Sequence, residues 1–252
     1  MSGKRTRIAH GVMRTAARLR MAEPELRGLG DLVRPGDTVF DIGAAYGMYT
    51  LPLADLVGPG GRVHAFEPQP RQSDTAWTYT RLVGADQATV TRAVMGDREG
   101  PVTLQVPIKF GLPIYGHAHV VEGTDPQLAP KRARRIPIPM LTVDGWIRDH
   151  PTAGPVSFLK VDVEGFEPAV LRGAHDTIGR WRPSMLLEIE DRHLRRYGDD
   201  GNAFADRIRA DWPEYRMYTR AEDRWRLADR VDLTTRNYLF AMDSTFERRV
   251  SA

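Results

Sequence analysis

From residue 37 onward, short apolar runs alternate with helix-like segments, and this alternation constrains the fold more than anything else in the sequence. The runs at 38–42, 63–67, 89–93, 158–163 and 185–190 are each brief and mostly apolar. Strands covered by helices on both faces have that composition, because neither face meets water. Strand and helix in alternation imply βαβ units and a parallel sheet. Segments 216–219 and 237–242 read as a closing pair, which brings the sheet to seven strands. Segments 103–106 and 136–140 read as further strands on either side of an insertion at 107–139. That insertion is rich in Pro, Gly and His and lacks sustained periodicity, so it is expected to be irregular and to cover a site. Residues 1–30 are expected to form a helical extension, with Ile8, Val12, Ala16 and Leu19 as the stripe that docks on the body, and 31–252 the main domain. A chain of 252 residues holds one such domain with extensions.

The first run enters a glycine turn, Val39-Phe40-Asp41-Ile42-Gly43-Ala44-Ala45-Tyr46-Gly47. Gly43 permits a tight turn against which a ligand can lie, since a Cβ would obstruct the approach. Asp41 stands at the carboxyl edge of the sheet, where open α/β sheets bind ligands. The second run ends in Glu67, 24 residues after Gly43. A carboxylate there can accept both ribose hydroxyls of an adenosine. Pro68 ends the strand because it has no N–H for the ladder. A dinucleotide would require G-x-G-x-x-G to seat its pyrophosphate, yet Ala45 replaces the second glycine and Asp41 would repel the phosphates. The ammonium of a methionine moiety would favour that acid. The expected cofactor is therefore S-adenosyl-L-methionine, contacted by Asp41, Gly43, Ala44, Tyr46, Gly47, Glu67, Pro68 and Ala93.

With VFDIGAAYG at 39–47, HAFEP at 64–68, TRAVMGDREG at 91–100, LTVD at 141–144, FLKVDVEGFEPAVLRGA at 158–174 and LLEIE at 186–190, the sequence resembles the FkbM family of methyltransferases over roughly 36–192. The Lys-x-Asp-x-Glu-Gly-x-Glu segment is the most specific part. The resemblance implies a Rossmann-like class I methyltransferase fold, with a seven-stranded, mostly parallel sheet and helices on both faces. It also implies O-methylation of a small-molecule or oligosaccharide hydroxyl in the cytoplasm, commonly by a homo-oligomer. A saccharide or saccharide-like acceptor is the favoured expectation, and a polyketide or other natural product the alternative.

Lys160, Asp162 and Glu164 alternate, so in a strand they face one way. Glu188 and Glu190 do the same on the next strand, bringing several carboxylates to one sheet edge. Two readings follow. A divalent cation, Mg²⁺ foremost, would be held by Asp162, Glu188 and Glu190, as oxygen ligands suit a hard ion. Alternatively Lys160 supplies the compensating charge, and a histidine serves as general base. His117 and His119 in the insertion and His193 after the acidic strand are the candidates, since imidazole titrates near neutrality. Glu164 and Glu167 are read as helix-entry residues beside Gly165 and Pro168.

Two basic clusters, Lys4 to Arg20 and Lys131 to Arg135, raise the question of nucleic acid. The net charge is only +3, and neither cluster is interleaved with stacking aromatics, so nucleic acid is not the expected partner. With no cysteine, disulfide, thiolate and Cys-ligated metal chemistry are excluded. No apolar stretch approaches the ~20 residues of a membrane span, and the start has no secretory h-region.

Overall fold

The computed structural model describes residues 5–8, 10–11, 23–128, 130–152, 154–232 and 234–247. Thirteen strands occur among them, and eight form the main sheet. These are β1 (Thr38–Ile42), β2 (Arg62–Phe66), β3 (Ala88–Thr91), β9 (Val156–Val161), β10 (Ser184–Glu188), β11 (Arg216–Ala221), β12 (Arg224–Leu227) and β13 (Asn237–Ala241). Their order is β12-β11-β13-β10-β9-β1-β2-β3. The five from β10 to β3 are parallel, and β13, β11 and β12 add an antiparallel edge. The sheet thus has one strand more than the seven expected. The extra strand, β12, is a hairpin partner of β11 at the exposed edge, where burial leaves no apolar signature.

The chain leaves β1 for β2 on one side and returns by β9 on the other. The resulting switch point opens a crevice beyond the carboxyl ends of these strands. Side-chain alternation builds a core on each face of the sheet. Phe40, Ile42, Leu159, Val161, Met185 and Leu187 enter one cluster, whereas Val39, Phe158 and Leu186 enter the other. Helices α1 (Thr50–Val57), α2 (Pro70–Val83), α3 (Val143–Asp149), α4 (Glu167–Arg172), α5 (His175–Trp181) and α6 (Gly201–Asp211) cover the faces. Two of them carry side-chain caps: Thr142 accepts from the Gly145 N–H, and Asp200 from the Ala203 N–H.

The strands expected at 103–106 and 136–140 are present and run on into both ends of the insertion, while the described residues of 110–132 hold only two-residue strands and short 3-10 turns. The remaining strands, β4 (Val94–Met95), β5 (Gly100–Lys109), β6 (Leu112–Pro113), β7 (His119–Val120) and β8 (Ala133–Leu141), form a second sheet. Its spine is an unbroken antiparallel ladder from Gly100↔Met140 to Pro107↔Ala133. Val102, Leu104, Val106, Ile138 and Met140 pack beneath it against Phe166 and Ala169.

Of the N-terminal extension, 5–8 and 10–11 are helical, and His10 reaches Asp55 of α1 at 2.7 Å. Thr6 and His10 are buried while Ile8 is exposed, so Ile8 is not on the docking side. Val12, Ala16 and Leu19 lie outside the described residues. Among the described residues no helix is long and apolar enough to cross a membrane.

Candidate active site

A cavity of about 330 Å³ opens at the switch point. Its floor is the glycine turn after β1. Gly43 adopts φ +84°, and a Cβ there would stand 1.8 Å from the carbonyl oxygen of Asp162. Only glycine allows the ends of β1 and β9 to approach so closely. The Gly43 and Ala44 N–H groups both donate to the Phe66 carbonyl, at 2.9 and 3.0 Å, and so bind the turn to β2.

Glu67 follows β2 and lines the cavity. One carboxylate oxygen accepts the Ala45 N–H at 2.9 Å, and the other the Gln69 N–H at 2.8 Å. Burial pushes its pKa up to about 7, against the opposing effect of these two amides. Each oxygen keeps a second lone pair. Gln69 and Gln72 line the same wall, and the Oε1 atom of each is buried with no hydrogen-bond partner. Two orphaned acceptors beside Glu67 call for a ligand that donates hydrogen bonds. Tyr46, Pro68 and Ala93 complete this end of the cavity. Asp41, Ala44 and Gly47 do not line it. The Asp41 carboxylate instead lies under the turn and accepts the Thr50 hydroxyl at 2.5 Å, with its pKa raised to about 6 by burial.

At the opposite end the carboxylates expected from sequence are only partly brought together. Asp162, Glu164 and Glu188 line the cavity. Glu190 does not, because β10 ends at Glu188 and the chain turns into a short helical segment, Asp191–Leu194. Its carboxylate pairs with Arg192 and with Arg236 at 2.9 Å. Lys160 is buried beneath the cavity rather than in its wall. Its ammonium contacts Asp162 at 3.2 Å and Asn237 at 3.0 Å, and lies 5.1 Å from the centroid of the Tyr49 ring. Burial opposes its charge, but Asp162, Glu23 and Glu188 outweigh burial and raise its pKa. Lys160 is therefore a fixed cation. A magnesium ion centred on Asp162, Glu188 and Glu190 does not fit: one ligand faces away, and Asp162 already has a cation.

Glu167 begins α4 as the sequence implies, accepting the Val163 and Gly165 N–H groups at 2.9 and 3.2 Å. Glu164 departs from that reading. It occupies a left-handed conformation, φ +59°, in the turn before the helix and faces the cavity.

The three histidines separate. His119 lines the cavity, and its Nδ1 lies 3.1 Å from the His117 carbonyl. A carbonyl only accepts, so Nδ1 carries the proton and Nε2 retains its lone pair. Burial lowers the pKa of His119, which keeps the ring neutral. His117 is not in the wall, and its ring lies 6.3 Å from that of His193. His193 is buried behind Glu164 and Glu188, and burial lowers its pKa to about 4. Burial likewise raises Glu164 to about 8 and Glu188 well above the usual carboxylate range.

Sequence reasoning missed Glu23, Gln69, Gln72, Tyr115 and Arg236. Glu23 accepts from Tyr49 at 2.5 Å and from Asn237 at 3.0 Å, and no motif marks it. Gln69 and Gln72 were within reach, since they open the helix that follows the ribose-type acid.

Residues 41–222 match the methyltransferase FkbM domain. The chain belongs to the FkbM methyltransferase family. It is 30% identical over 178 residues to the 31-O-demethyl-FK506 methyltransferase FkbM of Streptomyces tacrolimicus, covering 63% of this chain and 67% of that protein. The crystal structure of a methyltransferase FkbM from Methylobacillus flagellatus superposes with a TM-score of 0.50 at 17% identity. That match covers 92% of this chain and 54% of the solved one, so the chain spans about half the length of that relative. Fibrillarin of Aeropyrum pernix, solved with S-adenosyl-L-methionine, has a TM-score of 0.44 at 17% identity, over 84% of this chain and 68% of its own. The fold is the Rossmann-like class I methyltransferase fold, and in this FkbM-family chain the glycine turn, Glu67 and the Asp162–Glu164 turn all meet at one cavity.

Proposed function

We propose that this FkbM-family chain transfers a methyl group from S-adenosyl-L-methionine to a hydroxyl of a saccharide or saccharide-like metabolite. The observation that carries the reading is a single cavity with hydrogen-bond acceptors for an adenosine at one end, and carboxylates with a neutral histidine at the other. Glu67 accepts the ribose hydroxyls, and Gln69 and Gln72 satisfy their orphaned oxygens on the nucleoside. When bound, S-adenosyl-L-methionine supplies an electrophilic methyl on a sulfonium.

The chain's own groups do the rest. Asp162 and Glu188 accept hydrogen bonds from acceptor hydroxyls and fix one of them toward the methyl. Such orientation alone is worth up to ~7–11 kcal/mol. His119 Nε2 would take the hydroxyl proton as the oxygen–carbon bond forms and the carbon–sulfur bond breaks, its electron pair leaving with sulfur as S-adenosylhomocysteine, a role its tautomer and neutrality suit. Leu104, His119 and Val120 of the second sheet, with Tyr115 and Ala118 of the 3-10 turn before β7, roof the cavity and exclude water. We extend the cover reading to this sheet: its tip, and not the ladder, orders on acceptor binding.

A polyketide or other natural-product acceptor is the second reading. Leu104, Val120 and Phe166 make part of the wall apolar, and a relative carries 31-O-demethyl-FK506 in its name. Transfer of a labelled methyl to a panel of glycosides and macrocyclic alcohols separates the two. Calorimetry in which NAD binds and S-adenosylhomocysteine does not would overturn both.

A further inference from the structure

Four buried side-chain atoms at one place have no hydrogen-bond partner: Oε2 of Glu164, Oε2 of Glu188, and both ring nitrogens of His193. His193 is only 3% exposed. Its Nε2 lies 3.0 Å from Glu164 Oε2 and its Nδ1 3.7 Å from Glu188 Oε2, yet neither approach has hydrogen-bond geometry. A buried imidazole between two carboxylates ordinarily hydrogen-bonds to them, so a group of unmatched donors and acceptors needs another occupant. One donor atom from each of Glu164, Glu188 and His193 lies within 4.8 Å of the others. Ligands about 2.1 Å from one ion stand about 3.0 Å apart at right angles and about 3.4 Å apart in a tetrahedron; Glu164 Oε2 and His193 Nε2 are 3.0 Å apart, and Glu188 Oε2, 3.7 Å from Nδ1, joins them on one ion by a side-chain adjustment.

Three separate elements build this group. Glu164 sits in the turn between β9 and α4, Glu188 ends β10, and His193 belongs to the helical turn after it. Gly165 lets the first turn press on the third, since a Cβ there would meet the His193 backbone at 2.5 Å. Glu164 and Glu188 also face the cavity, so an ion held here would have an open side toward the acceptor end.

We propose that Glu164, Glu188 and His193 form a site for one divalent transition-metal ion. Two carboxylates and an imidazole suit manganese, iron or zinc better than magnesium, which takes oxygen ligands and keeps its waters. The site differs from an Asp162-centred one in its ligands and in its metal. It deepens the methyltransferase reading by naming a metal at the acceptor end, but its test needs no methyl transfer.

The full chain is stripped with chelator and titrated with Mn²⁺, and uptake is read as loss of the free-ion paramagnetic resonance signal. One ion per chain is expected, with nitrogen coupling from one imidazole in the pulsed spectrum. His193→Gln, with folding verified by circular dichroism, is expected to weaken uptake at least the roughly 10–100-fold typical of disturbing a metal site. Mg²⁺ is expected to displace Mn²⁺ only in large excess. No uptake by the folded wild-type chain, or bound Mn²⁺ with no nitrogen coupling, overturns the site. Displacement by equimolar Mg²⁺ overturns the imidazole ligand. Since neither methyl donor nor acceptor is present, failure here leaves the methyltransferase reading untouched. Failure of methyl transfer likewise leaves the metal measurement intact.

Discussion

Replacing Gly43 by alanine tests the geometry on which the cavity rests. The new Cβ would stand 1.8 Å from the Asp162 carbonyl oxygen, whereas real Cβ contacts essentially never fall below 3.0 Å, so β1 and β9 must part by roughly 1.2 Å. The Asp162 N–H bond to the Ile42 carbonyl, now 2.9 Å, is first to be stretched. Losing one such bond costs about 0.5–1.5 kcal/mol. An alanine at φ +84° adds about 1–3 kcal/mol of backbone strain. Gly47→Ala is the control. It has nearly the same φ, +86°, but its Cβ meets nothing nearer than Ala76 at 3.7 Å, so it carries the strain without the clash. The strain is common to both and cancels, so the difference between the two variants isolates the strand contact, and we expect Gly43→Ala to be the less stable by about 0.5–1.5 kcal/mol. At about 2–4 °C per kcal/mol for a chain of this size, thermal denaturation reads this as about 1–6 °C. S-adenosylhomocysteine should also raise the melting temperature of Gly47→Ala more than that of Gly43→Ala. Equal melting temperatures for the two variants would refute the reasoning, because the close approach would then cost nothing to disturb.

Glu67 should make cofactor affinity depend on pH. With its pKa at about 7, it is protonated in the free protein at lower pH, so affinity for S-adenosylhomocysteine should fall up to about tenfold per unit below 7 and level off above it. The raised pKa also means that its contribution to unliganded stability is full below about 4.5 and is lost as pH rises through about 7. Calorimetry across this range, with Glu67→Gln flattening the profile, checks the assignment, and a wild-type profile already flat counts against it. His119→Gln should lower kcat about 10²–10⁴-fold with little change in cofactor affinity; undiminished turnover would remove His119 as the base. Lys160→Met leaves Asp162 and Glu23 without their buried cation and should destabilise by roughly 3–5 kcal/mol in urea titration. Near-native stability with lost activity would mean that Lys160 acts on substrate instead.

The central strands were legible because burial on both faces leaves mostly apolar residues, and β1 was located to the residue. The edge was not. β12 has the sequence Arg-Trp-Arg-Leu, and the turn before it places Glu222 and Asp223 at positive φ without the glycine or asparagine that would announce a hairpin. In the second sheet, the strand expected at 136–140 is present within β8, and its prolines did not mask the alternation. Ile136, Ile138 and Met140 alternate with Pro137 and Pro139, and the isoleucines and methionine are the inward positions. Prolines on the outward positions of a ladder are tolerated when their missing N–H faces away from the partner strand. Of the two acids expected at the crevice, Glu67 lines the cavity and Asp41 does not, since the sequence does not reveal whether a strand-terminal acid points up into the crevice or under the turn.

Charge is what distinguishes the two halves of the acidic end. Lys160 lies in β9 and Asp162 directly follows it, still hydrogen-bonded to the Ile42 carbonyl, so they share a face and their pairing follows from spacing. That pairing was available to the sequence reading as a reason against a metal on Asp162. Glu164 is also two residues on, but the strand has ended and the left-handed turn carries it away from Lys160 toward His193. Glu188 reaches the same place from the neighbouring strand. Asp162 directly after β9 is thus matched by a fixed ammonium, while Glu164 in the turn beyond it and Glu188 at the end of β10 face a neutral, unpartnered imidazole. Periodicity predicts how residues within a strand pair, and it stops where the strand does. The chemistry left open in this site therefore lies in the turns, at Glu164 and His193.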